Sequence, residues 1–510
     1  MIIKALLIVI FFAMTIGIGV YCKKHATNVN GFLMGGRSVG PWLTAFAYGT
    51  SYFSAVIFIG YAGQFGWKFG LAATWIGIGN AIIGSLLAWI VLAKRTRLMS
   101  HYYESATMPD FFGKRFDSKA LKIASSVLVF IFLIPYTASL YNGLSRLFEM
   151  AFNIDYIWCI IAMAVLTAIY VVVGGYMATA INDFIQGIIM LVGIVVVIAA
   201  VLNSNGGLLE SVNSLGKVSA EGVKTGAFAS VFGPDALGLS FVVILTSLGT
   251  WGLPQMVQKF YAIKDDKAIK RGTIISTIFA IIVAGGCYFL GGFGRLYEIE
   301  TVNGKLIYDS IIPKMISNLP ELIIGLVVVL VLSASMSTLS SLVLTSSSTL
   351  TLDFIKPLKK KEMTEKSQML TMRILLVFFI LVSSVIAIIQ VKYNVAFIAQ
   401  MMGISWGALA GAFLAPFLYS LYWKKVSKAS VWASFIFGAG IMVVDMIFFF
   451  SGISFGNPVL STIFSSPINC GVVAMVGGLI IVPVVSLVFP DKKNQDQVNL
   501  MFKKLFNRSK

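Results

Sequence analysis

Apolar runs long enough to cross a lipid bilayer recur along this chain and fix what it can fold into. A helix needs about 20 mainly apolar residues to span the hydrocarbon. Thirteen stretches meet that requirement: 2–22, 40–65, 70–93, 120–150, 156–175, 178–202, 236–258, 272–296, 318–350, 368–391, 395–422, 429–450 and 467–489. Of the 510 residues, 58% are hydrophobic and only 12% charged, where a soluble domain carries about 25% charge. The longest stretches outside the apolar runs, about 203–235 and 297–317, leave no room for a separate soluble domain. Lys4 alone makes a weak basic start to the first run, which has no small-residue cleavage signature, so it reads as an uncleaved span.

A net charge of +18 would suggest a nucleic-acid partner in a soluble protein. Here the basic residues sit in short runs between apolar segments, the pattern that sets membrane topology. With the N-terminus outside, 30 of the 39 lysines and arginines fall on the inner side. That orientation puts the C-terminus inside and requires an odd number of spans. The basic end Lys503–Lys510 is then placed against the anionic inner leaflet. The four cysteines, Cys22, Cys159, Cys287 and Cys470, are far apart and have no metal-ligand spacing.

Three places within the apolar spans carry chemistry. Span 2 contains Gly49-Thr50-Ser51-Tyr52-Phe53-Ser54, and span 7 contains Thr246-Ser247-Leu248-Gly249-Thr250-Trp251-Gly252-Leu253-Pro254. Both are small, polar breaks at mid-depth, five spans apart. Such a pair marks an inverted repeat whose unwound helices form a midplane site; small residues also serve close helix packing. Span 9 reads Ser333-Ala334-Ser335-Met336-Ser337-Thr338-Leu339-Ser340-Ser341, with hydroxyls at positions 333, 337, 340 and 341 sharing one helical face. That stripe is either helix-packing glue or a ligand set for a hard cation. Carboxylates inside the membrane are scarce and costly. Asp183 opens span 6, as a cation ligand or a helix N-cap, and Asp445 lies deep in span 12.

The segment Gly35-Gly36-Arg37-Ser38-Val39-Gly40-Pro41, the break Gly49–Ser54, the Asn182-Asp183 pair and Met336-Ser337-Thr338 together resemble the sodium/solute symporter family, whose members include bacterial proline, pantothenate and sialic acid carriers. The likeness covers about residues 1–490. It implies an all-α integral membrane protein of the bacterial inner membrane, with about 13 transmembrane helices and an inverted five-plus-five repeat core. By that likeness residues 1–39 hold an extra N-terminal helix and an inner loop. The core is 40–422, with repeat halves 40–202 and 236–422; 423–489 add two C-terminal helices and 490–510 form a basic tail. The resemblance implies a sodium site formed by carbonyls of Thr50, Phe53 and Ala334 with the hydroxyls of Ser337 and Thr338. A second sodium set, present in some members, matches Asp183, Ser337, Ser340 and Ser341. Arg37 matches an arginine at the inner mouth with a gating or structural role. For substrate, Tyr136 matches proline carriers, which have an aspartate at the position of Tyr52. Tyr in the first break and Gly-Leu-Pro after the second are shared with pantothenate carriers.

The function implied is that of a symporter importing a small organic solute of amino acid, pantothenate or monocarboxylate type with sodium by alternating access. The solute would be lined by Tyr52, Ser54, Tyr136, Thr250 and Trp251. No cofactor, catalytic group or obligate protein partner is implied. A proline-specific sodium symporter is the alternative within this class, and three other classes compete: a sodium-conducting channel, a transporter-derived sensor and a membrane enzyme. A sensor would carry a large signalling domain, and the tail is short. An enzyme would need a nucleophile, metal cluster or phosphate loop, and none has convincing spacing. Of the two histidines, His25 and His101, neither is in a span, which argues against an intramembrane proton relay.

Overall fold

The computed structural model describes residues 2–22, 27–299, 301–302, 305–393, 397–452, 456–491 and 495–506; Lys23, Lys24 and His25 lie outside them. Among the described residues, ten helices are long and apolar enough to cross a membrane, or eleven when the bent pair Ala236–Gly252 and Pro254–Ala262 counts as one. Following the chain rather than unbroken helices gives thirteen passes, because glycines fold two long helical stretches back on themselves. Gly70, at φ 64° and ψ −142°, separates pass 2 (41–69) from pass 3 (70–102). Gly175, at φ 58° and ψ −156°, separates pass 5 (156–174) from pass 6 (176–204). Both need the left-handed backbone that glycine adopts without a Cβ clash. The remaining passes are Ile2–Cys22 (1), Lys119–Phe152 (4), 236–262 (7), Asp266–Gly291 (8), Glu321–Thr349 (9), Glu365–Tyr393 (10), Ile398–Tyr422 (11), Lys428–Ser451 (12) and Pro467–Val488 (13). Short helices, Val29–Met34, Met108–Arg115, Leu208–Lys217 and Ile311–Ser317 among them, fill the connections, and Thr301–Val302 pairs antiparallel with Lys305–Leu306.

Passes 2 and 7 are the broken ones. In pass 2 the helix Pro41–Tyr52 runs further than the sequence suggests and ends at an extended Phe53 (φ −99°, ψ 114°); it resumes as a π-helical stretch at Val56–Tyr61. In pass 7 the helix ends at Leu248, Gly249–Gly252 form a 3₁₀ turn, and Leu253 is extended (φ −85°, ψ 120°). Pro254 causes this break, since it disfavours α geometry in the residue before it and is well placed as the first residue of a new helix. That new helix continues to Ala262, four residues beyond the expected end of the span. Because the two breaks lie five passes apart, an odd offset, the second broken pass runs antiparallel to the first.

Pass 9 sits at the centre. Every residue from Val327 to Thr349 is buried, as befits a helix enclosed on all sides. It packs against passes 1, 2, 4, 6 and 10. Passes 11, 12 and 13 pack on one another at one flank. Glycines allow the closest crossings: a Cβ on Gly66 of pass 2 would lie 2.0 Å from the Gly291 carbonyl oxygen of pass 8.

Candidate ion and solute site at the helix breaks

Breaking a membrane helix frees backbone groups that only protein, ion, water or solute can satisfy. In pass 2 the Phe53 N–H returns to the Gly49 carbonyl and the Phe58 N–H to Ser54. The carbonyls of Thr50 and Phe53 therefore fall outside the backbone ladder. Pass 9 supplies what the break lacks. Thr338 Oγ1 lies 3.2 Å from the Thr50 carbonyl oxygen, 3.5 Å from that of Ser51 and 3.0 Å from that of Ala334. Ser337 Oγ donates to Thr50 Oγ1 at 2.7 Å. The freed Ala55 N–H donates to Ser335 Oγ at 3.3 Å. Thr50, Ala334, Ser337 and Thr338 are thus clustered, all buried, and Phe53 caps the same broken end. Such a set, made of neutral oxygens only, suits a hard monovalent cation.

The four residues of the second expected set meet a different neighbour. Asp183 is eight residues beyond the Gly175 turn, inside the helix, so it is not an N-cap. Its carboxylate is buried, with the Ser337 hydroxyl as a neighbour. Lys259 Nζ stands 3.9 Å from Asp183 Oδ2 and 2.9 Å from Ser341 Oγ. Ser341 Oγ also meets Ser51 Oγ at 2.8 Å, while Ser340 Oγ donates to the carbonyl of Ser337. Sequence reading misses Lys259 because it assigns this lysine to the basic loop after pass 7. The signal available is its position on the same short helix as Pro254-Gln255-Met256, ahead of the truly charged run Lys264–Lys267.

The expected solute residues divide between two walls. Tyr52 OH donates to the Thr246 carbonyl, Thr250 Oγ1 lies 3.3 Å from the Gly84 carbonyl, and Trp251 Nε1 donates to the Ile83 carbonyl at 3.0 Å. Thr250 and Trp251 lean on pass 3, and Tyr52 ties the first break to pass 7. Tyr136 and Ser54 belong to the other wall, where the Tyr136 OH and Ser54 Oγ meet each other. Trp406 of pass 11 links the walls. Its ring stacks on Tyr52 at 5.8 Å, meets Tyr136 edge-on at 5.9 Å and abuts Gly249 of the second break. Its indole N–H is without a described partner. Trp406 carries no polar pattern in the sequence that would single it out.

Arg37 lies at the mouth where passes 2 and 7 meet one end of the bundle. Gly35, Gly36 and Arg37 all take positive φ, which aims the guanidinium back at the chain. Arg37 Nη2 donates to the Ser105 carbonyl at 2.7 Å and Nη1 reaches Ser100 Oγ at 3.4 Å. Burial pulls this guanidinium below its ordinary pKa, with Tyr261, Glu104 and Asp110 pushing the other way. Beside it, the Val39 N–H donates to the Ala262 carbonyl at 3.2 Å and the Lys264 N–H to the Val39 carbonyl at 3.1 Å. A short parallel bridge so ties the start of pass 2 to the end of pass 7. Lys122 pairs with Asp110 at 2.6 Å and Asp353 at 3.2 Å, fastening pass 4 to the end of pass 9 on the same face.

The model of a family described as the sodium:solute symporter family matches residues 32–438. The sodium/proline symporter of Staphylococcus aureus strain JH9 is 31% identical over 454 residues, covering 86% of this chain and 85% of that protein. Among solved structures, a Na+-coupled sialic acid symporter in a substrate-bound outward-open state aligns with a TM-score of 0.72 at 18% identity, covering 96% of this chain and 98% of the other. A nucleobase-cation-symport-1 family transporter in a closed conformation aligns with a TM-score of 0.51 at 14% identity, over 92% of this chain and 98% of its own. At such identities these two structures speak to fold alone.

Proposed function

We propose, from the premise that this chain belongs to the sodium:solute symporter family, that it imports a small organic solute of amino acid, pantothenate or monocarboxylate type by alternating access. It is a multi-pass membrane protein and a sodium-coupled symporter of a small solute, built on an inverted five-plus-five helix repeat. The observation that carries the site assignment is the meeting of Thr338 and Ser337 with Thr50 at the break of pass 2. In this reading sodium is held by the carbonyls of Thr50, Phe53 and Ala334 and the hydroxyls of Ser337 and Thr338. The ion completes the broken helix and draws pass 2 onto pass 9. Core and repeats follow the boundaries 40–202 and 236–422, with 1–39 before them, 423–489 after them and the basic tail last.

The solute binds beside the ion, between Tyr52, Ser54, Tyr136, Thr250, Trp251 and Trp406. Aromatic faces suit an apolar body, and the Tyr136 and Ser54 hydroxyls with the Trp406 indole N–H suit a polar end. None of these lining residues is charged, so a solute carboxylate would lie in the field of the sodium ion. The Arg37 contacts and the Val39–Ile263 bridge close one mouth, which the lysine bias makes cytoplasmic, with the N-terminus outside. The membrane is the bacterial inner membrane. Sodium-gradient uptake into proteoliposomes, with proline, pantothenate, short monocarboxylates and sialic acid as the panel, tests this reading. One member should accumulate only with sodium. Uptake that follows a pH gradient and ignores sodium would overturn the coupling ion, and sodium flux without solute would favour a channel.

A further inference from the structure

The restart of pass 7 at Pro254 carries Lys259 into the space between passes 6 and 9, where its side chain is 4% exposed and that of Asp183 1%. Its ammonium lies 2.9 Å from Ser341 Oγ, 3.9 Å from Asp183 Oδ2 and 5.3 Å from the centre of the Tyr176 ring. Two of the four residues expected to hold a second ion, Asp183 and Ser341, therefore face a cation that belongs to the chain. Of the other two, Ser337 donates to Thr50 Oγ1 while also neighbouring the Asp183 carboxylate, and Ser340 donates to the Ser337 carbonyl. The helix carrying Lys259 is itself pinned: Thr345 Oγ1 donates to Gln258 Oε1 at 2.9 Å, and Gln258 Nε2 reaches the Leu33 carbonyl at 3.4 Å.

A buried charge persists only when it is paired. Asp183 is the carboxylate within ion-pair distance of Lys259 among the described residues, and Lys259 is the cation within that distance of Asp183. One negative charge is thus balanced by one positive charge. A sodium ion among the same oxygens would set two cations a few ångströms apart against a single carboxylate in a weakly screening interior. An ammonium and a sodium ion make the same demand on a site, oxygen acceptors and nearby negative charge, but the ammonium stays attached when the transporter opens inward. We propose that Lys259 is a tethered cation that takes the place of a second sodium ion beside Asp183 and sets the coupling at one sodium per solute. This rests on the reading of Thr50, Ser337 and Thr338 as the sodium site. Its functional consequence is a ceiling: with ~100 mV and a tenfold sodium gradient, one ion supports roughly 500-fold accumulation of a neutral solute, where two would support roughly 10⁵-fold.

Equilibrium binding of ²²Na+ to the purified full-length protein, without solute, tests it. The unaltered protein should bind one sodium per chain. Lys259→Ala should bind two, and the added ion should be lost again in Lys259→Ala/Asp183→Asn. Lys259→Gln, which keeps most of the length of the side chain and a donor for Ser341 while removing the charge, serves if the alanine variant does not fold, and the count for the unaltered protein needs no variant. Two sodium ions on the unaltered protein, or still one on both Lys259 variants, would overturn the proposal. No sodium on the unaltered protein would instead remove the Thr50–Thr338 site on which it rests.

Discussion

Replacing Thr338 by valine tests the ion site with little change of shape. Thr338 is buried, and its hydroxyl sits 3.2 Å from the Thr50 carbonyl and 3.0 Å from that of Ala334. The valine withdraws one of five proposed ligand oxygens. An interaction of a polar group with a charge contributes about 1.5–3 kcal/mol net, so half-saturating sodium should rise roughly 10- to 150-fold. A second effect does not involve sodium. The Thr50 carbonyl lies outside the backbone ladder, and leaving it unmet costs about 1–3 kcal/mol of stability. Thermal unfolding against sodium concentration separates the two. A site at one hundred times its dissociation constant gains about 2.7 kcal/mol from its ligand, and a hundredfold weaker site at the same sodium gains only about 0.4 kcal/mol. Thr338→Val should thus start lower without sodium and gain far less when sodium is added. Thr338→Ser should keep most of the response. Thr349→Ala, whose hydroxyl bonds only to carbonyls of its own helix at 2.9 and 3.1 Å, should leave it intact. A sodium titration of Thr338→Val that overlays the unaltered protein would refute the ligand assignment.

Other outcomes rest on particular contacts. Arg37→Ala removes the bonds to Ser105 and Ser100 and should loosen the closed mouth; thiol labelling of a cysteine placed at Ser105 should speed up several-fold while sodium affinity changes little. Gly66→Ala puts a methyl 2.0 Å from the Gly291 carbonyl oxygen, so passes 2 and 8 must separate and stability should fall by at least about 1–3 kcal/mol; Gly440→Ala, with nothing within 4 Å, should be neutral in the same thermal assay. Trp406→Phe keeps an aromatic ring against Tyr52 and Tyr136 but removes the unpaired indole N–H. The solute KM should rise a few-fold to about tenfold, the worth of one hydrogen bond of about 0.5–1.5 kcal/mol, with sodium dependence unchanged.

Much of this architecture is legible in the chain itself. Bilayer thickness sets a length that each pass must reach, so the apolar runs yield the passes, while the turns at Gly70 and Gly175 show only in the backbone angles. Pro254 forces the second break by local stereochemistry, and the hydroxyl stripe of pass 9 shows because its spacing matches one helical face. The sequence is vaguer where neighbours decide. The first helix runs on to Tyr52 before it breaks, since pass 9 supplies Ser335 and Thr338 to the freed backbone only after the helices have packed. Trp406 looks like any apolar residue until two breaks close around it. Lys259 looks like the first residue of a basic loop, because nothing local distinguishes a lysine that will face water from one that will face Asp183, 76 positions earlier in the numbering. The periodic and compositional signals are properties of single segments and survive in the bare sequence. The identity of the charge beside Asp183 is a property of three segments brought together, and only the packed bundle decides it.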